Sequence, residues 1–258
     1  KITRRHLLTH SSGLPAWKPY YTAIAPSPEG KSFITNKVLQ EELIYLPGQK
    51  AIYSDLGFIL LGMIIEKIAQ QGLDTFCRQS IFQPLGLSRT FFINLHQKLP
   101  ALAQVAATEA CPWRGRVIAG EVHDENAYVM GGVAGHAGLF STAQDLCQFA
   151  QAMLSCYQGK ENLINPEIAR TFFQRQTDIP GSTWALGWDT PSAQGSSAGR
   201  YFTPRSIGHL GFTGTSLWID LEQEIIVVLL TNRIHPHRAN EQIKIYRPLL
   251  HNLIMEEL

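Results

Sequence analysis

The chain has 258 residues, of which 45% are hydrophobic and 17% are charged, and its formal net charge is +1. This composition excludes disordered and fibrous classes, and the length suits one large domain or two closely packed lobes. Because basic and acidic residues nearly balance and no basic block stands out beyond Arg4 and Arg5, nucleic acid is not an expected partner.

The cysteines and the longest apolar run point to an ordinary protein interior. Four cysteines occur without C-x-x-C spacing and without a histidine at zinc-finger distance, at Cys77, Cys111, Cys147 and Cys156. We expect small buried side chains there rather than a metal or redox site. The first ten residues lack the apolar core of a signal peptide. Residues 56–65 form an apolar run well short of the roughly 20 residues of a membrane span, and we predict a core helix there.

Helical patterns dominate the first two thirds of the chain. Residues 55–70 are apolar on nearly every side, which predicts a buried helix with Asp55 as its N-cap. The next helix is predicted to begin at Asp74 and to end before Pro84. Residues 106–138 follow neither the helical nor the strand period, which predicts a long structured loop of a kind that is often functional.

Two further helices are predicted. One begins at the sequence STAQDL, where Ser141 or Thr142 can cap the helix N-terminus. The other lies within residues 239–258 and is expected to cover one face of a sheet through apolar residues at helical spacing, namely Ile243, Tyr246, Leu249, Leu250 and Leu253.

Strand patterns begin after Pro180. Residues 183–189, 209–220 and 224–232 are rich in strand-forming side chains, and the polar turn LEQE between the last two predicts an antiparallel hairpin. Residues 225–230 are apolar at every position. The sheet is therefore expected to be covered on both faces.

Glycines cluster in the stretch GHLGFTGTSLW, at residues 208–218. Glycine weakens an ordinary strand because it has no side chain to pack and loses more backbone entropy on folding. The clustering therefore indicates that another group approaches this backbone closely.

Two short motifs resemble those of a known family of enzymes. The sequence YSD at 53–55 and the sequence HLG at 209–211 are similar to the second and third motifs of the penicillin-recognising serine hydrolases. A tyrosine that leads the second motif and a histidine in the third resemble the class C β-lactamase-like branch, which includes esterases and D-alanyl peptidases. The same resemblance extends over most of the chain, through residues 2–15, 81–92, 120–146 and 216–236.

The resemblance implies an α/β (α+β) fold of the β-lactamase/transpeptidase type. Its antiparallel sheet is flanked by helices and joined to a mostly helical lobe, and its N-terminal part is missing from this chain. Residues 1–258 would form a single catalytic domain. In it, residues 1–175 would be the mostly helical lobe and residues 176–258 the C-terminal strands and helix of the α/β lobe.

The resemblance also implies roles for individual residues. Tyr53, with its pKa lowered by neighbouring cations, would carry protons to and from the nucleophile and the leaving group. His209 would lie close to Tyr53 and influence its protonation, as the more usual lysine does. The backbone N–H of Phe212 would stabilise the oxyanion, and the substrate would pair with the strand at Gly211. The substrate-binding set is Asp55, Gly211, Gly214 and Thr215.

The chain departs from the family pattern at two points. Asp55 stands where the family often has asparagine, which replaces an amide by a group that, when ionised, only accepts hydrogen bonds. No serine in the sequence is followed three positions later by lysine. We therefore expect the nucleophile motif S-x-x-K to lie before Lys1, so that this chain alone would be inactive.

Three other groups have competing interpretations. The residues His123, Asp124, Glu125 and His136 could hold a metal, although a hydrogen-bond network that braces the loop or a cleft wall is favoured because no helical ligand spacing occurs. The sequence GSSAG matches a nucleophile elbow at Ser197, but its flanks favour a loop. Turn roles are expected for His10, Ser11 and Ser12.

Together these patterns predict a serine hydrolase that works through an acyl-enzyme on amide or ester substrates, with cell-wall D-alanyl peptides or β-lactams favoured. No cofactor and no metal are implied, and the partner is a small-molecule or peptide substrate. Membrane association stays open, and the resemblance alone favours a periplasmic or extracytoplasmic location. The alternative is a non-catalytic module that keeps the fold and cleft and binds peptidoglycan or a protein.

Overall fold

The computed structural model describes residues 1–97, 105–161 and 163–258, which form two compact units. The first unit comprises Lys1–Ala107, Ile118–Ser141 and Asp178–Pro180, and the second comprises Thr108–Val117, Thr142–Thr177 and Gly181–Leu258. This division does not follow the predicted boundary after residue 175. The reason is that two helices which precede this position pack against the sheet of the second unit.

The first unit is mainly helical. Its helices are α1 (Arg4–Leu8), α2 (Gly30–Leu39), α3 (Asp55–Ala69), α4 (Leu73–Cys77) and α5 (Glu125–Val129). A single π-helical turn, Arg78–Phe82, continues α4, so the predicted helix from Asp74 to Pro84 is confirmed in extent but changes type midway. Two short strands, β1 (Phe91–Phe92) and β4 (Leu139–Phe140), pair antiparallel.

Helix α3 is the buried helix that the sequence predicts, but its cap is Ser54 and not Asp55. The Ser54 hydroxyl accepts a hydrogen bond from the backbone N–H of Gly57, and Asp55 is the first helical residue. Leu56 and Ile59 are buried in a core to which α1 contributes Leu7. No single described helix is long and apolar enough to cross a membrane. Among the described residues, the helical segments Asp55–Ala69 and Leu73–Phe82 reach the required length and apolar character only when they are taken together, and they are bent by 73° relative to each other.

The predicted loop at 106–138 contains short regular elements. The strands β2 (Ala110–Cys111) and β3 (Arg116–Val117) form a small hairpin in the second unit, and α5 lies in the first. Elements of two to five residues are too short to produce a detectable period, which explains why the sequence pattern showed none.

The second unit contains a three-stranded antiparallel sheet in the order β5-β6-β7, with β5 at Ile207–Leu210, β6 at Ser216–Asp220 and β7 at Ile225–Leu229. The hairpin predicted around LEQE is confirmed as β6 and β7. Residues 209–220 are not one strand, because a turn at 211–215 separates β5 from β6. Residues 183–189 do not form a strand and make only isolated bridges, one of them between Asp189 and Gly208.

Both faces of this sheet are covered, as the sequence predicts. On one face, Ile219 and Ile226 pack with the helices α6 (Ala143–Gln158) and α7 (Pro166–Phe173). On the other face, the fully buried Trp218 packs with Phe202 and with the end of helix α8 (Ile243–Glu256). Thr142 caps α6 through a bond from the N–H of Asp145, which confirms one of the two predicted caps.

Helix α8 turns an unexpected face toward the sheet. The predicted apolar stripe is largely exposed, with Tyr246 at 61% and Leu253 at 62%, whereas Arg247 and His251 are buried. Burial of these polar side chains is possible because Arg247 donates to the Thr215 carbonyl, at 3.2 Å, and His251 Nδ1 lies 3.0 Å from the Ser197 carbonyl oxygen. The prediction that the stripe itself covers the sheet is therefore wrong.

Candidate active site

Tyr53 and Asp55 flank the cap of helix α3, and the backbone there is firmly anchored. The N–H of Ser54 donates to His10 Nδ1 at 3.0 Å, and the Ser54 hydroxyl donates to the Pro15 carbonyl at 2.7 Å. The N–H of Asp55 donates to the Ala16 carbonyl at 2.9 Å. These bonds fix the direction in which the Tyr53 and Asp55 side chains leave the helix terminus.

The Tyr53 side chain is 44% exposed and packs against His10, with ring centroids 4.5 Å apart. His10 itself is buried in a left-handed conformation, with φ of 53°. That conformation agrees with the predicted turn. The aromatic contact with Tyr53 is a positioning role that the sequence pattern did not indicate, because 43 residues separate the two in the chain.

Asp124 and His136 form a second pair of ionisable groups in the first unit. His136 Nε2 lies 2.9 Å from Asp124 Oδ1, and the same carboxylate oxygen accepts the N–H of Ala127 at 2.7 Å. Asp124 is thus the N-cap of α5. The pair joins the start of α5 to the segment before β4, which is the geometry of a network that braces the loop.

Burial and neighbouring carboxylates raise the pKa of Tyr53, opposite to the direction that the resemblance implies. Burial acts first, and the carboxylates of Asp55 and Asp124 add to it by opposing a negative charge on the phenol oxygen. Burial and the Asp124 carboxylate also raise the pKa of Asp55 to about 6, while His136 and the hydrogen bond with Tyr53 oppose the rise. With the residues that the structure describes around it, Tyr53 therefore keeps its proton at neutral pH.

In the pair of Asp124 and His136, each group stabilises the charged form of the other. Although burial alone would raise it, the pKa of Asp124 is lowered by His136 and by the N–H of Ala127. Burial alone would lower the pKa of His136, but Asp124 and Asp55 raise it above its ordinary value. The interaction with His136 partly offsets the effects of burial and of Asp124 on the pKa of Asp55.

His209 lies on β5 in the second unit and is not a substitute for a permanent cation. Burial lowers the pKa of its imidazole, and the carboxylate of Asp189 only partly opposes that effect. Its Nδ1 lies 2.9 Å from the Leu210 carbonyl oxygen, so the neutral ring carries its proton on Nδ1 and leaves Nε2 as an acceptor. The Trp184 ring packs beside it at 5.8 Å.

Contacts or backbone conformation within the second unit explain each glycine of residues 208–218. A Cβ at Gly208 would lie 2.3 Å from the Trp218 ring, and one at Gly211 would lie 2.1 Å from the Thr215 hydroxyl oxygen. Gly214 has a φ of 112°, which side chains rarely adopt. The close approach that the sequence indicates is therefore present between parts of the chain itself.

The turn at 211–215 is held through its carbonyl groups. Gly211 accepts from the N–H of Gly214 at 3.0 Å, and Thr215 accepts from the N–H of Gly211 at 2.9 Å. The Thr231 hydroxyl donates to the Gly214 carbonyl at 2.7 Å. Because the N–H and C=O of one peptide point in opposite directions, the bond to the Gly211 carbonyl fixes where the Phe212 N–H points.

Ser197 does not sit in a nucleophile elbow. Residues 191–206 contain neither a strand nor a helix, and the Ser197 carbonyl oxygen lies near His251 of α8. This confirms the loop that the flanking sequence predicts, because an elbow requires a strand before the serine and a helix after it.

The chain is similar to proteins of one family. The family model described as beta-lactamase matches residues 1–250. The Escherichia coli (strain K12) protein named "Putative D-alanyl-D-alanine carboxypeptidase" is 36% identical over 255 residues, which cover 92% of this chain and 58% of that protein. The Salmonella newport protein of the same name is 34% identical with the same coverage. This chain thus spans little more than half the length of these curated relatives.

Solved structures share the fold at low sequence identity. Simvastatin synthase from Aspergillus terreus superposes with a TM-score of 0.70 at 19% identity, over 99% of this chain and 68% of that one. A β-lactamase from Mycobacterium bovis gives a TM-score of 0.65 at 18% identity, over 99% and 74% of the two chains. These likenesses show the predicted α/β fold of the β-lactamase/transpeptidase type.

Proposed function

The chain belongs to the β-lactamase family, and from this premise we propose that it is part of a serine hydrolase that removes the terminal D-alanine from cell-wall peptides. Relatives at 34–36% identity that are named for D-alanyl-D-alanine carboxypeptidase activity support this substrate class. Membership of the family itself supports the coarser statement, a hydrolase of the β-lactamase and penicillin-binding type.

The observation that carries the proposal is the state of Tyr53. Its backbone is anchored through the neighbouring Ser54 and Asp55, its hydroxyl is hydrogen-bonded to Asp55, and yet 44% of the side chain is exposed. A fixed but accessible phenol suits a group that exchanges a proton with a substrate.

In the proposed reaction a serine oxygen attacks the carbonyl carbon of the scissile amide. The carbonyl oxygen becomes negative and accepts the N–H of Phe212. The C–N bond then breaks, the leaving amine takes a proton, and the acyl group stays on the serine as an ester. Water hydrolyses that ester, which returns the serine proton and releases the shortened peptide.

Tyr53 is the proton donor to the leaving amine in this scheme. A phenol that keeps its proton at neutral pH suits donation, and Asp55 orients it by accepting its hydrogen bond. Tyr53 regains its proton from the attacking serine hydroxyl, so acylation moves the serine proton to the leaving amine, and the water that hydrolyses the ester returns one proton to the serine oxygen. The attacking serine is, in our proposal, not among these 258 residues, because none of their serines has the S-x-x-K context.

Release of D-alanine tests this function. The natural gene product that contains these residues is incubated with a peptide that ends in D-alanyl-D-alanine and with one that ends in D-alanyl-L-alanine. We expect release of the terminal residue from the first peptide only. A gene product that binds the peptides without hydrolysing either one would instead support the non-catalytic binding module.

A further inference from the structure

His136 follows Gly135, and that glycine brings the segment against helix α3. A Cβ on Gly135 would lie 2.2 Å from the Phe58 carbonyl oxygen, and a Cβ on Gly62 would lie 3.0 Å from the Gly135 nitrogen. Because neither position has room for a side chain, the two backbones approach closely. His136 is therefore held beside the helix whose first residue is Asp55.

Asp124 and Asp55 are anchored to the same short segment of backbone. Asp124 caps helix α5, and the Asn126 side chain ties this helix to residues 16–21 through bonds of 2.8 and 3.0 Å to backbone atoms of that segment. The N–H of Asp55 donates to a carbonyl of the same segment at 2.9 Å. Residues 16–21 thus fix the two carboxylates relative to each other.

His136 and Asp124 form a buried ion pair. Nε2 of His136 lies 2.9 Å from Oδ1 of Asp124, and the side chain of His136 is only 2% exposed. The other ring nitrogen, Nδ1, is also buried and has no hydrogen-bond partner among residues 1–97, 105–161 and 163–258. The positive charge of the imidazolium is therefore stabilised by two carboxylates, those of Asp124 and Asp55.

This pair acts through its charges. Among the described residues, no three of the side chains His123, Asp124, Glu125 and His136 bring ligand atoms within 4.8 Å of one another. The contact with Asp124 also occupies Nε2 of the histidine ring. What the pair presents to the start of α3 is consequently an electrostatic field and not a set of convergent ligands.

The net effect of the pair favours an ionised Asp55. His136 lowers the pKa of Asp55 by more than Asp124 raises it, so the loss of both charges together would still favour the protonated acid. An ionised carboxylate only accepts hydrogen bonds, and it therefore receives the hydroxyl proton of Tyr53. A protonated carboxyl group can donate to the phenol oxygen instead, which reverses the bond and redirects the Tyr53 hydroxyl.

We propose that His136 is a positioning residue of the reaction, whose imidazolium keeps Asp55 in the ionised form that accepts the Tyr53 hydrogen bond. The proposal rests on the proposed function, because it concerns how the proton donor of that reaction is held. The titratable groups that act on Asp55, contact Tyr53 or act on Asp124 are, in chain order, His10, Tyr53, Asp55, His123, Asp124 and His136.

The variant His136→Gln tests this role, because glutamine keeps a side-chain N–H for Asp124 but carries no charge. We expect the rise of activity with pH to move about one unit toward higher pH. Activity should then be roughly fivefold below wild type at about pH 6 and nearly equal to it above about pH 8. Loss of activity by the same factor at every pH would make His136 a purely structural residue and overturn the proposal.

Two further variants complete this measurement. His96→Gln is the matched control, because His96 is an exposed histidine of the same unit, and its pH profile should equal that of the wild type. In an Asp55→Asn background, His136→Gln should not move the profile further, since the group on which it acts is gone. A shift of the same size in that background would show that His136 acts on another group and would refute the proposal.

An NMR titration of the His136 ring separates this proposal from the proposed function and needs no turnover. Because the coupling between two sites is mutual, the His136 ring should lose its proton about one pH unit lower in Asp55→Asn than in the wild type. The natural gene product with ¹³C-labelled histidine is the sample. A lowered midpoint without any hydrolysis would refute the proposed reaction and support His136. An unchanged midpoint would overturn the role of His136, whatever the rate of hydrolysis.

Discussion

Tyr53→Phe is expected to reduce the rate of acylation in the natural gene product by about two to four orders of magnitude, the usual scale of general acid–base catalysis. The substitution removes one hydroxyl, whose hydrogen-bond partner is Asp55. The ring and its contact with His10 stay, so the free energy of unfolding should change little. Stopped-flow acylation by a chromogenic β-lactam or activated ester measures the effect.

Tyr246→Phe is the control, because that phenol lies on the exposed side of α8 and takes no part in the proposed reaction. The control should acylate at the wild-type rate. If Tyr53→Phe also acylated at that rate while remaining folded, Tyr53 would not be the proton carrier and the proposed mechanism would fail.

Asp55→Asn is expected to change the pH dependence of the reaction. With its pKa raised to about 6, Asp55 is ionised above that pH and then accepts the Tyr53 hydrogen bond. Activity of the wild type should therefore rise to a plateau above about pH 7 and be roughly tenfold lower at about pH 5. Asparagine does not titrate, so the variant should lose this part of the profile.

The other titratable groups near Asp55 are Tyr53, Asp124 and His136. Asp124, whose pKa is lowered, stays ionised throughout this window, and His136, whose pKa is raised, loses its proton at a higher pH than Asp55 does. The variant His209→Gln tests whether His209, whose pKa is lowered, contributes to the pH profile. A pH profile that is identical in wild type and Asp55→Asn would contradict the role of Asp55. The rise of activity between about pH 5 and pH 7 should remain in His209→Gln.

The start of α6 and the turn between β6 and β7 were predictable from the sequence because their signals are local. Thr142 caps α6, and the LEQE turn joins β6 to β7, since a cap or a hairpin turn depends on residues within a few positions. The burial of α8 was not predictable in the same way. Periodicity finds an apolar stripe, but Arg247 and His251 are buried through carbonyl acceptors more than 30 residues away in the chain.

The site shows the same division between local and distant causes. The motifs at Tyr53 and His209 are visible in the sequence, but their protonation is not. The Tyr53 pKa depends on Asp124, about 70 residues further along the chain, and His209 is neutral because its strand is buried. The interaction between His136 and Asp55 is likewise visible only in the fold.

The most direct test of the central claim, an acyl-enzyme formed on a serine outside these 258 residues, is intact-protein mass spectrometry after incubation with a penicillin, followed by peptide mapping. The natural gene product is compared with the 258-residue chain alone. We predict a stoichiometric adduct on a serine of an S-x-x-K motif in the gene product and no adduct on the short chain. A stoichiometric adduct on the short chain, at Ser197 or at any other of its serines, would contradict the account.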